Sequence, residues 1–284
     1  MEGIKTSLLD AFINAALRED IKDGDHTSLA CIDPEKKTGA QLIIKDTGVV
    51  AGIDFARHVF DKLDPDMKWE QILTDGADVR YGDVAFIVET GAQTLLKAER
   101  LVLNTMQRLS GVSSMSRRYA NMVSDLNVTI LDTRKTTPLM RFLEKWAVRV
   151  GGCSNYRDGL YDWIMIKDNH VDACGGVAKA IKKVKSYLIE LGKDLNITVE
   201  VRNFEELSEA MNEGGIKRIM LDNFEIDDLK RAVELIGDKF ESEASGGITD
   251  QTLRSVAETG VDFISVGALT HSAGSLDMSL KVMA

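Results

Sequence analysis

Apolar positions change their spacing along the chain, and the change falls between residues 110 and 125. Apolar side chains at helical spacing over residues 6–20 predict an opening amphipathic helix. Short β-type runs broken by Gly and Asp follow, with a helix predicted at 54–63 between the second and third runs. Residues 96–109 are again helical in pattern. The runs are AQLIIKD, GVVAG, KWEQILTDG and DVAFIVETG. We therefore expect residues 1–110 to form an α+β domain.

Beyond residue 125 the pattern alternates between short β-branched runs and helical stretches, which is typical of parallel β/α units. Most of the helical stretches end at glycine, as helix C-termini often do. In a β/α barrel the carboxyl ends of the strands meet at one mouth, so that residues remote in sequence become neighbours. We expect residues 111–271 to form such a barrel and the tail 272–284 to pack with the first domain.

Six apolar runs of this second part end in charged or glycine-rich residues. A charge of this kind often marks only the point where a buried strand meets solvent. Loops normally use Asn, Gly, Pro and Ser, however, and here several charged residues lie inside or directly abut the apolar runs, which weakens that explanation when it is applied to six successive runs. The sequence therefore predicts a functional pocket at the barrel mouth. The runs are VTIL before Asp132 to Lys135, WIMI before Lys167, ITVEV around Glu200, RIML before Asp222, FESEA before Ser245 to Gly247, and FISV before Gly267.

Net charge and composition exclude several classes of protein. A formal charge of −10 argues against a general nucleic-acid binder, because there is no excess of cations to neutralise phosphates. No apolar stretch approaches the ~18 residues that a membrane span needs, and the N-terminus lacks a signal-peptide pattern. We therefore expect a cytoplasmic protein with neither nucleic-acid nor membrane partners. Cys31, Cys153 and Cys174 show no CxxC spacing, so neither disulfides nor a zinc site are predicted.

Two glycine-containing turns follow the last two predicted strands. Ser245, Gly246 and Gly247 come directly after one strand and precede a helix predicted to open at residue 250. A turn without bulky side chains leaves backbone amides free to wrap a phosphate, and a helix N-terminus adds positive potential. The next strand ends at Gly267, and these are the two turns at which β/α barrels most often bind phosphate. His271 either donates to the same phosphate or simply begins a helix.

The remaining strand ends carry opposite charges. Glu200 and Asp222 lie on successive predicted strands, and Mg²⁺ commonly uses one or two carboxylates together with substrate oxygens. Four cations with two obvious counter-carboxylates imply a ligand with several negative charges. We found neither a Ser-His-Asp nor a Cys-His arrangement, so the pocket favours electrostatic catalysis on an anionic substrate over covalent chemistry. The four cations are Arg134, Lys135, Arg157 and Lys167.

Six motifs in this order and spacing cover nearly the whole chain. They are ALREDIKDGDHTS (16–28), ERLVLNTMQRLSGV (99–112), ILDTRKTTPLMRFLEKWAVRVGG (130–152), NYRDGLYDWIMIKDNH (155–170), EASGGIT (243–249) and DFISVGALTHSA (262–273). Together they resemble the quinolinate phosphoribosyltransferase family, also called carboxylating nicotinate-nucleotide pyrophosphorylase. The combination of DTRKTTP, KDNH, EASGGI and VGALTHS is highly specific.

The resemblance implies a fold, a reaction and an assembly. The fold would be an N-terminal α/β sandwich domain plus an incomplete parallel β/α barrel. The reaction would join quinolinate to phosphoribosyl pyrophosphate with Mg²⁺, giving nicotinate mononucleotide, carbon dioxide and pyrophosphate. The assembly would be a homodimer or higher homo-oligomer with shared active sites, in which the N-terminal domain of one subunit covers the barrel mouth of another.

The resemblance also implies roles for individual residues. The substrate-binding residues would be Thr133, Arg134, Tyr156, Arg157 and Lys167, with Arg100 reaching in from the neighbouring subunit. The residues serving the ribose, pyrophosphate and Mg²⁺ would be Lys135, Glu200 and Asp222. The 5′-phosphate would be held by Ser245, Gly246, Gly247, Gly267 and His271. For Arg100, which shares one polar helix face with Asn104 and Arg108, a solvated face is an equally good explanation.

One position departs from the family pattern. Where the family usually reads Gly-Gly-Gly-x-Asn-His-Arg, this chain has Tyr156 before Arg157. We expect the phenol to donate a hydrogen bond to a substrate carboxylate, and the alternative is a ring that packs on the barrel rim.

Two rival functions stay open: a phosphoribosyltransferase for another acidic N-heterocycle, such as the relatives associated with molybdenum transport, and a non-catalytic binder of phosphorylated metabolites.

Overall fold

The computed structural model describes Met1 and residues 3–283. Its helices are α1 Thr6–Ile21, α2 His26–Cys31, α3 Ile53–Leu63, α4 Ala92–Met122, α5 Arg141–Val150, α6 Asp168–Cys174, α7 Val177–Leu191, α8 Phe204–Glu213, α9 Ile226–Ile236, α10 Leu253–Ala257 and α11 Ala268–His271. Its strands are β1 Lys37–Ile44, β2 Gly48–Val49, β3 Lys68–Gln71, β4 Asp78–Val79, β5 Val84–Gly91, β6 Thr129–Leu131, β7 Ile164–Ile166, β8 Ile197–Val201, β9 Arg218–Asp222, β10 Glu241–Ser245, β11 Phe263–Ser265 and β12 Met278–Val282.

The chain divides into two compact units. The first consists of Met1–Arg117, Thr137–Gly152 and Ser272–Ala284, and the second of Arg118–Thr136 and Cys153–His271. Residues 137–152, which contain α5, therefore belong to the first unit although they lie between two segments of the second in sequence. Helix α4 begins in the first unit and ends in the second.

The first unit contains a four-stranded antiparallel sheet in the order β12-β1-β5-β3. The C-terminal strand β12 pairs with β1, so residues 278–282 lie beside residues 40–44. Strand β1 alternates buried with part-exposed residues along its second half, which is the pattern of a sheet with one face on a core. Helix α3 buries Phe55, Val59 and Phe60, and Phe55 packs edge-on against Phe12 of α1.

The second unit is built on six parallel strands in the order β6-β11-β10-β9-β8-β7. All six correspond to the runs predicted from the sequence, and the mixed α/β fold is confirmed. All five residues of β8 are buried, as expected for a parallel strand that is covered on both faces, and three of the five are apolar. Helix α9 buries Leu229, Ala232 and Ile236 at helical spacing.

The parallel sheet is open between β6 and β7, each of which has one hydrogen-bonded neighbour strand among the described residues. The segment from Cys153 to Trp163 connects to both edges. Ser154 forms an isolated parallel bridge with Leu131 of β6, and Trp163 directly precedes β7. This segment carries Arg157, so the irregular part of the barrel wall bears one of the predicted substrate residues.

Two predicted helices have different bounds in the structure. The helix predicted at 96–109 extends from Ala92 to Met122, beyond the predicted domain boundary. The helix expected to open at residue 250 begins at Leu253 and has only five residues, so little dipole potential is available at the preceding turn. None of the described helices is long and apolar enough to cross a membrane.

Candidate active site

Strand register brings the predicted acidic and glycine positions to one face of the parallel sheet. Glu200 on β8 is opposite Met220 on β9, and Asp222, two residues further along β9, is opposite Ser245 on β10. Side chains two residues apart on a strand point to the same face. The carboxylates of Glu200 and Asp222 and the Ser245 turn therefore lie on the same side, toward the carboxyl ends of the strands.

Lys167 and Glu200 form a direct ion pair. The Lys167 ammonium donates to Glu200 Oε2 at 2.6 Å. Glu200 is nearly buried, at 6% exposure, whereas the lysine side chain remains partly exposed. Lys167 is also the N-cap of α6, where its backbone N–H donates to His170 Nδ1 at 2.9 Å. The KDNH motif thus fixes the backbone of the lysine while leaving its charged end at the pocket.

Arg157 and Arg134 place two guanidinium groups within electrostatic reach of each other. Arg157 is 9% exposed, and its NH1 donates to the Trp163 carbonyl at 3.2 Å. Burial, and then the charge of Arg134, lowers the pKa of Arg157. Like charges held close together in a partly buried site repel each other, and an anion bound between them would lower that repulsion. This arrangement fits a substrate with more than one negative charge.

The Ser245–Gly247 turn requires glycine for steric reasons. Gly246 has φ +98° and Gly247 φ +61°, both in the region that favours glycine. A Cβ built at Gly246 would collide with the side-chain amide of Asn223. Asn223 itself has φ +55°, donates its backbone N–H to the Ser245 carbonyl at 2.8 Å and its side-chain amide to Asp222 Oδ2 at 2.8 Å. The Asp222 turn and the glycine turn are therefore one interlocked unit.

The second glycine turn brings Lys135 and His271 together. A Cβ built at Gly267 would lie 3.0 Å from His271 Nε2 and 3.1 Å from Lys135 Cδ. The buried Thr270 hydroxyl donates to the Lys135 carbonyl at 2.8 Å, and the Lys135 N–H donates to Thr133 Oγ1 at 3.1 Å. A histidine and a lysine beside a glycine turn are suited to bind a phosphate.

The acidic residues fit Mg²⁺ only in partnership with a substrate. Glu200 is already engaged by Lys167, and Asp222 accepts the Asn223 amide. Within Met1 and residues 3–283, no group of three or more His, Cys, Asp or Glu side chains converges on a point that could hold a metal ion. Mg²⁺ is commonly bound by one or two carboxylates plus substrate phosphate oxygens. Glu200 and Asp222 would supply two carboxylates to such an ion, and Mg²⁺ at this site stays a prediction.

Tyr156 points into the barrel. Its hydroxyl lies 2.6 Å from Thr198 Oγ1, and it also hydrogen-bonds with Glu243. Its ring meets Trp163 edge-on. Burial, followed by the charge of Glu243, raises the pKa of the phenol. These partners are on the interior strands β8 and β10. The hydrogen bond to a substrate carboxylate stays a prediction.

Arg100 belongs to the first unit, unlike the other predicted site residues. Its side chain is largely exposed, and its NH2 lies 3.4 Å from Glu99 Oε1. A residue that the sequence did not single out is Glu144 on α5, which is fully buried. It accepts from Arg108 at 2.9 Å and from the N–H and hydroxyl of Thr137 at 3.0 and 2.7 Å. Glu144 therefore anchors the end of the loop that carries Arg134 and Lys135.

The three cysteines and Arg202 are not among the predicted site residues. None of the three cysteines forms a disulfide, and burial raises the pKa of the Cys153 thiol to about 12. A buried thiol of this kind is not a nucleophile near neutral pH. Arg202 donates to Asp172 and Glu206 at distances of 2.6 to 3.2 Å. It is a partly exposed ion pair outside the pocket described above.

The chain belongs to the quinolinate phosphoribosyl transferase family. Residues 25–110 match the family's N-terminal domain and residues 112–281 its C-terminal domain. The chain is 43% identical to the chloroplastic carboxylating nicotinate-nucleotide pyrophosphorylase of Oryza sativa subsp. japonica, over 96% of this chain and 77% of that one. It is 42% identical to a probable carboxylating nicotinate-nucleotide pyrophosphorylase of Bacillus subtilis, over 96% of this chain and 93% of that one.

Solved structures named as NadC or nicotinate-nucleotide pyrophosphorylase are similar in fold to this chain. The crystal structure of NadC from Streptococcus pyogenes is similar with a TM-score of 0.93 at 36% identity, covering 100% of this chain and 99% of that one. The nicotinate-nucleotide pyrophosphorylase from Francisella tularensis is similar with a TM-score of 0.91 at 35% identity, covering 99% and 98%. The recognition made from the six motifs is thereby confirmed.

Proposed function

We propose that this protein transfers the phosphoribosyl group of phosphoribosyl pyrophosphate to quinolinate and that decarboxylation follows, giving nicotinate mononucleotide, carbon dioxide and pyrophosphate. The observation that carries the proposal is the nearly buried Arg157 beside Arg134. Quinolinate is a pyridine with two adjacent carboxylates, and two like-charged guanidinium groups in a shielded site call for such a dianion. The names of the rice and Bacillus subtilis relatives point to the same reaction.

The chain's own residues would bind three anionic groups. Arg134, Arg157 and Lys167 would hold the two carboxylates of quinolinate, with Thr133 and the partner's arginine at position 100 completing the dianion site. Lys135 would serve the pyrophosphate. The 5′-phosphate would lie against the two glycine turns and His271, where exposed amides and cations meet. In this arrangement the pyridine nitrogen is directed at C1 of the ribose.

The reaction then needs little covalent participation from the protein. As pyrophosphate leaves, the ribose acquires oxocarbenium character, and the carboxylates of Glu200 and Asp222 would favour that positive charge. Once alkylated, the pyridine nitrogen is cationic, so the electron pair left on the adjacent ring carbon by the departing carbon dioxide is stabilised beside it. That carbon then takes a proton from water, which gives nicotinate mononucleotide. Arg157 and its neighbours would orient the ring, and the shielded site would remove water from the carboxylate that is lost, which favours its departure as neutral carbon dioxide. Mg²⁺, held by Asp222 and the pyrophosphate, would neutralise the negative charge of the leaving group.

A substrate panel tests the proposal. With Mg²⁺ and phosphoribosyl pyrophosphate, we expect the purified protein to release carbon dioxide and pyrophosphate from quinolinate, and chelation of Mg²⁺ by EDTA to stop turnover. Nicotinate lacks one carboxylate, and breaking a buried ion pair costs roughly 3–5 kcal/mol, so its kcat/KM should be at least about 100-fold lower. Orotate and other ring acids test the rival heterocycles. Equal kcat/KM for quinolinate and nicotinate would contradict the dianion site, and binding without turnover of any acid would indicate a non-catalytic protein.

We also propose that the protein is a homodimer or a higher homo-oligomer in which Arg100 acts in the partner's site. Arg100→Ala and Lys135→Ala proteins should each be nearly inactive. After mixing and re-association, one of the two sites in each heterodimer has both groups intact. Random pairing of a two-fold dimer should then restore roughly a quarter of the sites. Mass-tagged subunits would verify that heterodimers form, and no recovery in their presence would remove Arg100 from the shared site.

The cellular compartment stays a prediction. We propose the cytoplasm, although one relative from rice is named as chloroplastic and one from Nicotiana tabacum as mitochondrial. Fractionation of the source cells, with immunodetection of the protein, would check it.

A further inference from the structure

A cluster of charged and aromatic side chains fills the barrel beneath the pocket. Its centre is the ion pair between Arg218 on β9 and Glu243 on β10, with a distance of 3.0 Å between Arg218 NH1 and Glu243 Oε2. Glu243 is fully buried, and Ser265 donates to it at 2.5 Å. The Arg218 guanidinium carbon lies 3.6 Å from the ring centroid of Phe263 and 5.1 Å from that of Tyr156. None of the proposed substrate roles uses this cluster.

The hydrogen-bond partners of the Tyr156 phenol all lie inside the cluster. Trp163 Nε1 is a donor only, so at 2.9 Å it donates to Thr198 Oγ1. Glu243 accepts from the Arg218 guanidinium and the Ser265 hydroxyl and is also a hydrogen-bond partner of the Tyr156 phenol. The phenol has a single proton, and its two partners, Thr198 Oγ1 at 2.6 Å and Glu243, are both on interior strands. The tyrosine proton is therefore already committed inside the barrel.

The same cluster holds Arg157 from two sides. Tyr156 is its covalent neighbour, and the Tyr156 N–H donates to the buried Asp132 at 2.8 Å. The Trp163 carbonyl accepts a hydrogen bond from Arg157 at 3.2 Å, and the Trp163 indole donates one to Thr198. The Tyr156 phenol and the Trp163 indole both hydrogen-bond with the hydroxyl of Thr198, a residue with zero exposure. A change at Thr198 should therefore reach the guanidinium of Arg157 without any contact with substrate.

We propose that Tyr156 is a positioning residue: its hydroxyl, held by Thr198 and Glu243, aims the guanidinium of Arg157 at a substrate carboxylate and does not itself bind substrate. This inference rests on the proposed function, since it takes Arg157 to bind the substrate dianion. It replaces the expectation that the phenol donates to the substrate. Arg157 has to be held against its repulsion from Arg134, and a rigid cluster beneath it does so before the substrate arrives.

Two shape-conserving variants separate positioning from direct contact. Turnover of quinolinate by the unmodified protein is measured first; its absence would count against the proposed function and not against the cluster. Tyr156→Phe and Thr198→Val should each raise KM for quinolinate about fivefold, as expected for loss of one hydrogen bond. KM for phosphoribosyl pyrophosphate should stay within about twofold, because the phosphate turns do not depend on the cluster. The double variant should resemble the single ones, and Thr198→Ser, which keeps the hydroxyl, should restore KM.

A matched control and three outcomes complete the test. Tyr187→Phe removes the same hydroxyl from the exposed tyrosine of α7 and should leave both KM values unchanged. The proposal is overturned if Tyr156→Phe raises KM while Thr198→Val does not, since the phenol would then contact substrate directly. It is overturned as well if neither variant changes KM, or if both variants raise the two KM values equally together with a lower Tm. Should Thr198→Val fail to fold, Trp163→Phe removes another donor of the same hydroxyl and is read in the same way.

Discussion

Alanine at position 246 is expected to lower kcat/KM for phosphoribosyl pyrophosphate by about 100-fold, the loss that a displacement of about 1 Å in a binding site produces. Gly246 has φ +98°, and a Cβ there would collide with the Asn223 amide. To make room, Asn223 must move, and Asp222 moves with it because the two side chains are hydrogen-bonded. One methyl group would therefore disturb both the phosphate turn and the proposed Mg²⁺ carboxylate. Steady-state kinetics with saturating quinolinate would measure the loss.

Gly82→Ala is the matched control for this substitution. Gly82 has φ +94°, and a Cβ built there meets nothing within 4 Å. The control therefore introduces the same backbone strain, of about 1 kcal/mol or slightly more, without a collision. It should lower Tm by a few degrees and leave kcat/KM within about twofold. If both variants lose activity equally, backbone strain alone explains the effect and the interlocked turns do not.

The parallel sheet was predictable because its strands are buried on both faces. Strand β8 is apolar except at Thr198 and Glu200, and strand β9 is apolar between Arg218 and Asp222. Continuous apolar runs bounded by turns identify such strands without information about distant contacts. The charged or glycine-rich residues at the carboxyl ends of the runs identified the pocket, because all parallel strands end at the same mouth.

The extent of α4 was not predictable from apolar spacing. Its second half reads SGVSSMSRRYANM and buries Ser110, Ser113 and Ser116. Serine is normally exposed, so a helix face made of serines does not appear apolar. Small residues are used here because neighbouring backbone comes very close, and a Cβ at Gly111 would collide with the Gly274 carbonyl. Gly274 lies 163 residues beyond Gly111 in the sequence, so the local pattern around Gly111 does not reveal this contact.

The hydrogen-bond partners of Tyr156 also could not be predicted from the sequence. Its neighbour Arg157 and the family pattern suggested a substrate contact, whereas its partners are on β8 and β10. One signal was available: Arg218 and Glu243 lie inside two successive predicted strands with opposite charges, which is a pattern of cross-strand pairing. Recognising that these two residues pair requires knowledge of the strand order. Predicting the direction of the phenol requires knowledge of where the sheet is open.

Replacing Arg157 by alanine is expected to remove most of the preference for quinolinate. The side chain is 9% exposed and its pKa is lowered by burial and by Arg134, so a single substrate carboxylate would be its natural partner. Breaking a buried pair costs roughly 3–5 kcal/mol, which lowers kcat/KM for quinolinate by about 100- to 1,000-fold or more. Arg157→Lys keeps the charge but loses the forked geometry, so its kcat/KM for quinolinate should lie between those of the alanine variant and the parent protein.

Arg202→Ala, which removes an arginine bound to Asp172 and Glu206, is the matched control and should change kcat/KM by less than about twofold. If Arg157→Ala lowers kcat/KM for quinolinate and nicotinate by the same factor, Arg157 does not discriminate between one and two carboxylates, and the dianion would have to be recognised elsewhere.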